Sequence, residues 1–192
     1  MEIIIKNIND YDTNVVNNFK NQINKEKLDR INKMIDENER KKSIIAEIIL
    51  SELLDQIGID YNSLNIKYSK NGKPVINNEL FYSITHSKNY IAVAISNKNI
   101  GIDIEEINDF NIENIDVFTN KKEQEHINKS DDKLISSIKI FTIKEAYIKY
   151  KDLSLFDIKK IDIIKNNNID LDECNIKSIK NDEYILSICE QK

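Results

Sequence analysis

"NKNIGIDIE", residues 97–105, contains the turn that parts the chain and the strand that opens its second part. Ile102 and Ile104 can face a core. Strand side chains alternate with period two, so Asp103 and Glu105 then share the opposite face. Two like charges side by side usually carry a cost. A solvated strand face gives this pattern most often; a shared cation is the sharper alternative.

Upstream of this stretch the spacing predicts a strand over 2–8, helices over 23–35 and 38–57, and strands over 64–69, 80–86 and 90–95. The second helix repeats apolar residues at Ile44, Ile45, Ile48, Ile49, Leu53 and Ile57, and Gly58 follows as a stop. Downstream, the spacing predicts a strand over 100–107, helices over 120–128 and 132–151, and strands over 158–164, 176–180 and 184–190. The order strand, helix, helix, strand, strand, strand therefore occurs twice. This predicts an α+β fold of two similar halves, 1–99 and 100–192, with a cleft between them for a ligand. A single α+β layer structure, with the repeated order accidental, is the alternative.

The chain has 192 residues, of which 40% are hydrophobic and 32% charged, the composition of an ordinary soluble globular protein. A net charge of -5 argues against a general nucleic-acid binder. Cys174 and Cys189 have neither metal-ligand spacing nor disulfide-scaffold density, which fits a reducing cytoplasm. "MEIIIKNIND" lacks a signal peptide's basic start, and "IIAEIIL", broken by Glu47, is too short to span a bilayer. The expectation is a cytoplasmic protein that binds neither membrane nor nucleic acid.

Three glycines and one proline serve the whole chain. Gly72 and Pro74 stand together in "NGKP", 71–74, a tight turn from which Lys73 projects or else a plain loop. Gly101 suits a bulge or a close backbone approach. In the helix over 132–151, Leu134, Ile138, Phe141 and Ile148 form an apolar stripe that also contains Glu145. A carboxylate there needs the edge of the core or a positive partner. Lys149, one turn on, supplies a modest pair of ~0.2–0.5 kcal/mol; a cation shared with Asp103 and Glu105 is the other reading. Three carboxylates without His or Cys suit a hard cation such as Mg²⁺.

His86 ends the strand "FYSITHS"; His126 lies in a charged helix. His86 and Ser87 are adjacent and point to opposite strand faces, so they cannot pair as base and nucleophile. A hydrogen bond from His86 to a phosphate remains open. Arg40, Lys41 and Lys42, with Lys25, Lys27 and Arg30 upstream, make either a solvated helix face or a site for a terminal phosphate.

Taken in order, "NGKP" at 71–74, "SITHS" at 83–87, "GIDIE" at 101–105 and "FTIKEAYIK" at 141–149 resemble the Sfp-type 4′-phosphopantetheinyl transferases. The agreement runs from about residue 40 to 155. "KEKLDRINK" at 25–33 is a weaker match to that family's basic N-terminal segment. The resemblance implies a fold of two similar α+β halves and transfer of phosphopantetheine from coenzyme A to a serine of an apo acyl or peptidyl carrier protein, releasing 3′,5′-ADP. It implies Mg²⁺ held by Asp103, Glu105 and Glu145, with His86 and Lys149 on the pyrophosphate. Lys73, the turn around it with Pro74, and Thr85 line the adenine and ribose. Lys42 stands where the family has an arginine for the 3′-phosphate, with Lys27 and Arg30 assisting. Glu145 is the expected general base. Family analogy implies a monomer.

The chain departs from the pattern at Phe141 (usually Trp), Ser83 (usually Asn), Thr85 (usually Ser), Lys42 and Asp152 (usually Gly). Residues 110–127, with Ile112, Val117, Phe118, Lys121 and Lys122, are expected to contact the carrier helix. Two rival readings stand beside this one: a non-catalytic coenzyme A- or carrier-binding relative, and a Mg²⁺-dependent phosphoester hydrolase.

Overall fold

A computed structural model describes residues 1–69, 71, 73–76 and 80–192. Gly72, the glycine of the expected "NGKP" turn, lies outside the described residues. The first part runs β1 (Glu2–Asn7), α1 (Thr13–Phe19), α2 (Lys25–Asn32), α3 (Glu37–Gln56), β2 (Lys67–Tyr68), β3 (Pro74–Val75), β4 (Phe81–Ser87) and β5 (Tyr90–Ser96). The second runs β6 (Ile100–Glu106), α4 (Ile115–Phe118), α5 (Lys121–Lys129), α6 (Lys133–Lys151), β7 (Ile164–Lys165), β8 (Asn168–Ile169), β9 (Cys174–Lys180) and β10 (Tyr184–Gln191).

The abundant Asn and Asp residues work as helix starts. Asp12, Asn24, Asp36, Asn120 and Asp132 each accept a hydrogen bond from a first-turn N–H of the helix that follows. At α5 the cap is reciprocal: Asn120 takes the Glu123 N–H and Glu123 takes the Asn120 N–H.

Two antiparallel three-stranded sheets carry the same wiring. One has the order β1-β5-β4 and the other β6-β10-β9, so in each the last strand runs between the first strand and the penultimate one. A two-stranded ladder, β2-β3 or β7-β8, precedes each closing hairpin. Alternation then builds the layers. Ile91, Val93 and Ile95 of β5 pack with α3, where Ile45, Ile49, Leu50, Leu53 and Leu54 are wholly buried. Burying each such side chain contributes about 1.5–3 kcal/mol. Ala92 and Ala94, on the other face, pack against Ile102, Ile104 and Leu186 of the second sheet. The outer face of that sheet is covered by α6 through Ile140, Ile143 and Ala146. The layer order is α3, first sheet, second sheet, α6.

Two expected elements differ. The strand expected over 158–164 begins only at its last residue, as β7: Leu155–Lys160 is a 3-10 helix started by Ser154, and Ile158, Ile161 and Ile163 turn inward onto the α6 core. The expected strand over 64–69 shrinks to Lys67–Tyr68, because its partner β3 is itself two residues long. Among the described residues, no helix is long and apolar enough to cross a membrane.

Candidate active site

The site is built where the two sheets meet. β4 and β6 lie side by side and are joined by hydroxyls rather than by a backbone ladder. Ser83, Thr85 and Ser87, alternate residues of β4, accept the backbone N–H groups of Ile102 (3.1 Å), Ile104 (3.4 Å) and Glu106 (3.2 Å). Two of these hydroxyls also donate to the acids of "GIDIE". Thr85 Oγ1 donates to Asp103 Oδ1 at 2.8 Å and Ser87 Oγ to Glu105 Oε2 at 2.6 Å. The edge N–H groups of β6 are satisfied and its carboxylates aimed by the same side chains.

Gly101 sets the other wall. A Cβ at this position would lie 2.1 Å from the Ala146 carbonyl oxygen and 2.4 Å from the Tyr150 nitrogen. The backbone of α6 rests directly on β6 here, the close approach open to glycine alone. That contact brings Glu145 and Lys149 beside Asp103, and Lys149 Nζ donates to Asp103 Oδ1 at 2.6 Å. Lys149 therefore reaches across to β6 rather than forming an ion pair with Glu145 on its own helix.

The carboxylates are crowded. Burial, reinforced by Asp103, pushes Glu145 up to about 7. Burial also pushes Glu105 up to about 7, with Asp103 and Glu145 adding repulsion against the relief from Ser87 and Lys149. Asp103 Oδ2 is buried without a hydrogen-bond partner. Among the described residues, no three His, Cys, Asp or Glu side chains already form a metal cage. The orphaned oxygen and the repelling all-oxygen set nevertheless fit a hard divalent cation.

A cavity of about 550 Å³ opens from these acids toward α2 and α3. Asp103, Glu145, Lys149, Thr85 and His86 line it, together with Lys27, Arg30 and Tyr68. The Arg30 guanidinium stacks over the Tyr68 ring at 3.9 Å. Lys27 Nζ lies 3.1 Å from Glu47 Oε1, an ion pair without hydrogen-bond alignment, and burial of Lys27 is more than offset by Glu47. Lys42, 8% exposed, donates to Glu39 Oε1 at 2.8 Å, and His86 Nε2 stands 3.4 Å from Glu39 Oε2. Burial holds His86 below its ordinary value, against the pull of Glu39. Lys42 and His86, expected at different phosphates, thus meet one carboxylate.

Lys73 and Pro74 line the cavity, but the Lys73 ammonium is committed elsewhere. It donates to Asn99 Oδ1 at 2.5 Å and to the Tyr150 carbonyl at 3.1 Å. Burial pushes it down to about 8, with Asp152 opposing. Asp152 caps α6 in the left-handed region at φ 54°, where the family pattern has Gly. Its carboxylate accepts from Ser69 Oγ at 2.8 Å and its carbonyl from Asn71 Nδ2 at 2.6 Å. Asp152 ties Ser69 and Asn71 to the end of α6; a glycine would keep the bond from Asn71 and lose the one from Ser69.

Within 110–127, Ile112 is 37% and Val117 70% exposed, and Lys121 and Lys122 are exposed. Phe118 is not part of that surface. It is buried at 5%, its ring 4.9 Å from Phe141 and 6.0 Å from Phe110. The trio fills the space beside Phe141, where the family pattern has a larger ring. Lys122 is paired with Asp162 at 2.8 Å.

Sequence reading missed three features. The β4 hydroxyls stand at alternate positions, a visible pattern whose partner strand was not. Glu47 is wholly buried and accepts from Tyr61 Oη at 2.8 Å; it interrupts an apolar run, the one signal it leaves. Lys144 is wholly buried in α6, held by Glu123 at 2.6 Å and the Phe118 carbonyl at 2.7 Å.

Residues 99–189 match the family model described as the 4′-phosphopantetheinyl transferase superfamily. The chain is 30% identical over 151 residues to the 4′-phosphopantetheinyl transferase gsp of Aneurinibacillus migulanus, an alignment that covers 77% of this chain and 63% of that protein. The chain thus spans less than two thirds of its relative's length. The family resemblance read from the motifs is borne out over these residues.

Proposed function

We propose that this chain, which matches the 4′-phosphopantetheinyl transferase superfamily through residues 99–189, transfers phosphopantetheine from coenzyme A to a serine of an apo acyl or peptidyl carrier protein. The observation that carries the reading is the placement of Asp103 and Glu145 in one cavity with Lys149, Lys27 and Arg30, with Glu105 close enough to Asp103 and Glu145 to feel their charge. A ligand suited to such a lining is anionic and held partly by the lysines and arginine and partly through a cation. The halves 1–99 and 100–192 are the two sides of this site.

Asp103, Glu105 and Glu145 would hold Mg²⁺, which when bound supplies charge neutralisation and alignment at the pyrophosphate. The residues do the rest. Lys149 presents its ammonium beside Asp103, where it stabilises charge building on the transferred phosphate. Glu145 would accept the proton of the carrier serine, through a carboxylate oxygen not engaged by the cation. The serine oxygen bonds to the phosphorus bearing pantetheine, the bond from that phosphorus to the bridging oxygen breaks, and 3′,5′-ADP leaves with the electron pair. The nucleophile belongs to the partner, so the chain needs none of its own. The exposed side of 110–127, with Val117 and Lys121, receives the carrier.

The test is release of 3′,5′-ADP, followed by chromatography, from coenzyme A with the chain, Mg²⁺ and apo carrier proteins. Release is expected only with both Mg²⁺ and carrier present. Release of phosphate or phosphopantetheine without carrier would favour the hydrolase; coenzyme A binding with no product on any carrier would favour the non-catalytic relative.

A further inference from the structure

Glu39 stands in the first turn of α3, and its carboxylate bridges two elements. Oε1 accepts from Lys42 Nζ at 2.8 Å, and Oε2 lies 3.4 Å from His86 Nε2 at the end of β4. The partners differ in freedom. The Lys42 side chain is 10% exposed and the Glu39 side chain 41%. The cation is fixed and the anion is movable. Glu39 is not needed to start the helix, because Asp36 already accepts from the N–H groups of Asn38 and Glu39. An oxyanion set between a buried lysine and an imidazole marks what this place accepts. A phosphate monoester offers the same pair of oxygens with more charge.

We propose that Glu39 is a specificity-determining residue, an internal stand-in for the terminal phosphate of coenzyme A that this phosphate must displace to reach Lys42 and His86. The proposal rests on reading the cavity as the coenzyme A site. A coenzyme without its 3′-phosphate leaves Glu39 in place. The chain therefore separates coenzyme A from 3′-dephospho-coenzyme A less sharply than Lys42 and His86 alone would. The Glu39 side chain is 41% exposed and pairs with Lys42 at i,i+3 spacing on one helix, a weak arrangement, so displacing it costs roughly two- to fivefold in affinity.

The experiment is calorimetric titration, with Mg²⁺ and without carrier, of coenzyme A and 3′-dephospho-coenzyme A into the unaltered chain, Glu39→Gln and Glu37→Gln. Glu37 is an exposed acid of the same helical turn and controls for the change in net charge. Glu39→Gln is expected to tighten coenzyme A roughly two- to fivefold and to leave 3′-dephospho-coenzyme A unchanged, with Glu37→Gln altering neither. No change in Glu39→Gln, an equal change for both coenzymes, or the same change in Glu37→Gln overturns the role of Glu39 while the cavity reading stands. An unaltered chain that binds neither coenzyme overturns the cavity reading and this proposal together.

Discussion

Lys144 and Lys149 sit a little over one turn apart on α6, and each donates to a carboxylate at 2.6 Å. Lys144 meets Glu123 where both side chains are wholly buried, and its charge is further met by the Phe118 carbonyl. Glu123 in turn takes the N–H groups of Asn120 and Ile163, the latter at 3.3 Å. Every strong group there has a partner within the protein. Lys149 meets Asp103 at a cavity wall, 30% exposed, with Asp103 Oδ2 unpartnered and two raised carboxylates beside it. One pair is closed and the other is unfinished. A closed pair specifies the fold; an unfinished pair leaves binding capacity for something that arrives.

The sharpest way to break this comparison is to remove one member from each pair. Asp103→Ala is expected to lower transfer by about two to three orders of magnitude, the scale seen when a preorganised charge-stabilising group is lost. The melting temperature should hold or rise, because the mutation relieves repulsion on Glu105 and Glu145. Lys144→Met should do the reverse. It strands Glu123 without its cation and costs about 3–5 kcal/mol, a fall of roughly 10 °C in Tm for a chain of this size. Calorimetric melts beside initial rates separate the two, and an Asp103→Ala protein that melts as early as Lys144→Met would end the distinction.

A weaker effect comes with pH. Glu105 and Glu145 are raised to about 7 when folded, against an unfolded value of 4.5. The folded chain binds those protons more tightly, so their contribution to stability is complete below about 4.5 and is lost as pH rises through about 7. Without divalent cations, Tm should fall between pH 5 and 8. The double variant Glu105→Gln, Glu145→Gln should flatten that slope, and Mg²⁺ should restore Tm at pH 8. A slope unchanged in the double variant would show that other groups set it.

The carrier surface gives a smaller change. Lys121→Glu should raise the apparent KM for carrier several-fold while leaving coenzyme A binding alone. Lys122→Glu also disturbs Asp162, so it is the poorer probe. An unchanged KM in Lys121→Glu would move the carrier off this face. The smallest effect belongs to Asp152→Gly. It removes the tie from Ser69 and the strain of a left-handed aspartate together, so Tm should shift little while the KM for coenzyme A rises about two- to threefold, with Asp152→Asn restoring it. Equal KM values in all three proteins would make the tie inert.

The layers were legible in the sequence because alternation and helical spacing act within one element: Ile102 and Ile104 inward, Ile45 and Ile49 on one stripe. Gly101 announced a close approach without saying to what. Interactions across elements left weaker traces. The β4 hydroxyls, Glu39 between Lys42 and His86, and the committed Lys73 each depend on a partner distant in sequence. Phe118 is expected on the carrier surface as one of the apolar residues beside Lys121 and Lys122, yet it packs inward with Phe110 and Phe141. Lys144 and Lys149 read alike in "IKEAYIK"; only their partners, Glu123 of α5 and Asp103 of β6, separate them.

The most direct measurement is the intact mass of an apo carrier protein after incubation with coenzyme A, Mg²⁺ and either the unaltered chain or Asp103→Ala. The account predicts a phosphopantetheine adduct from the unaltered chain and essentially none from Asp103→Ala at equal folded concentration. No adduct on any apo carrier with the unaltered chain, or the same yield from both proteins, would contradict it.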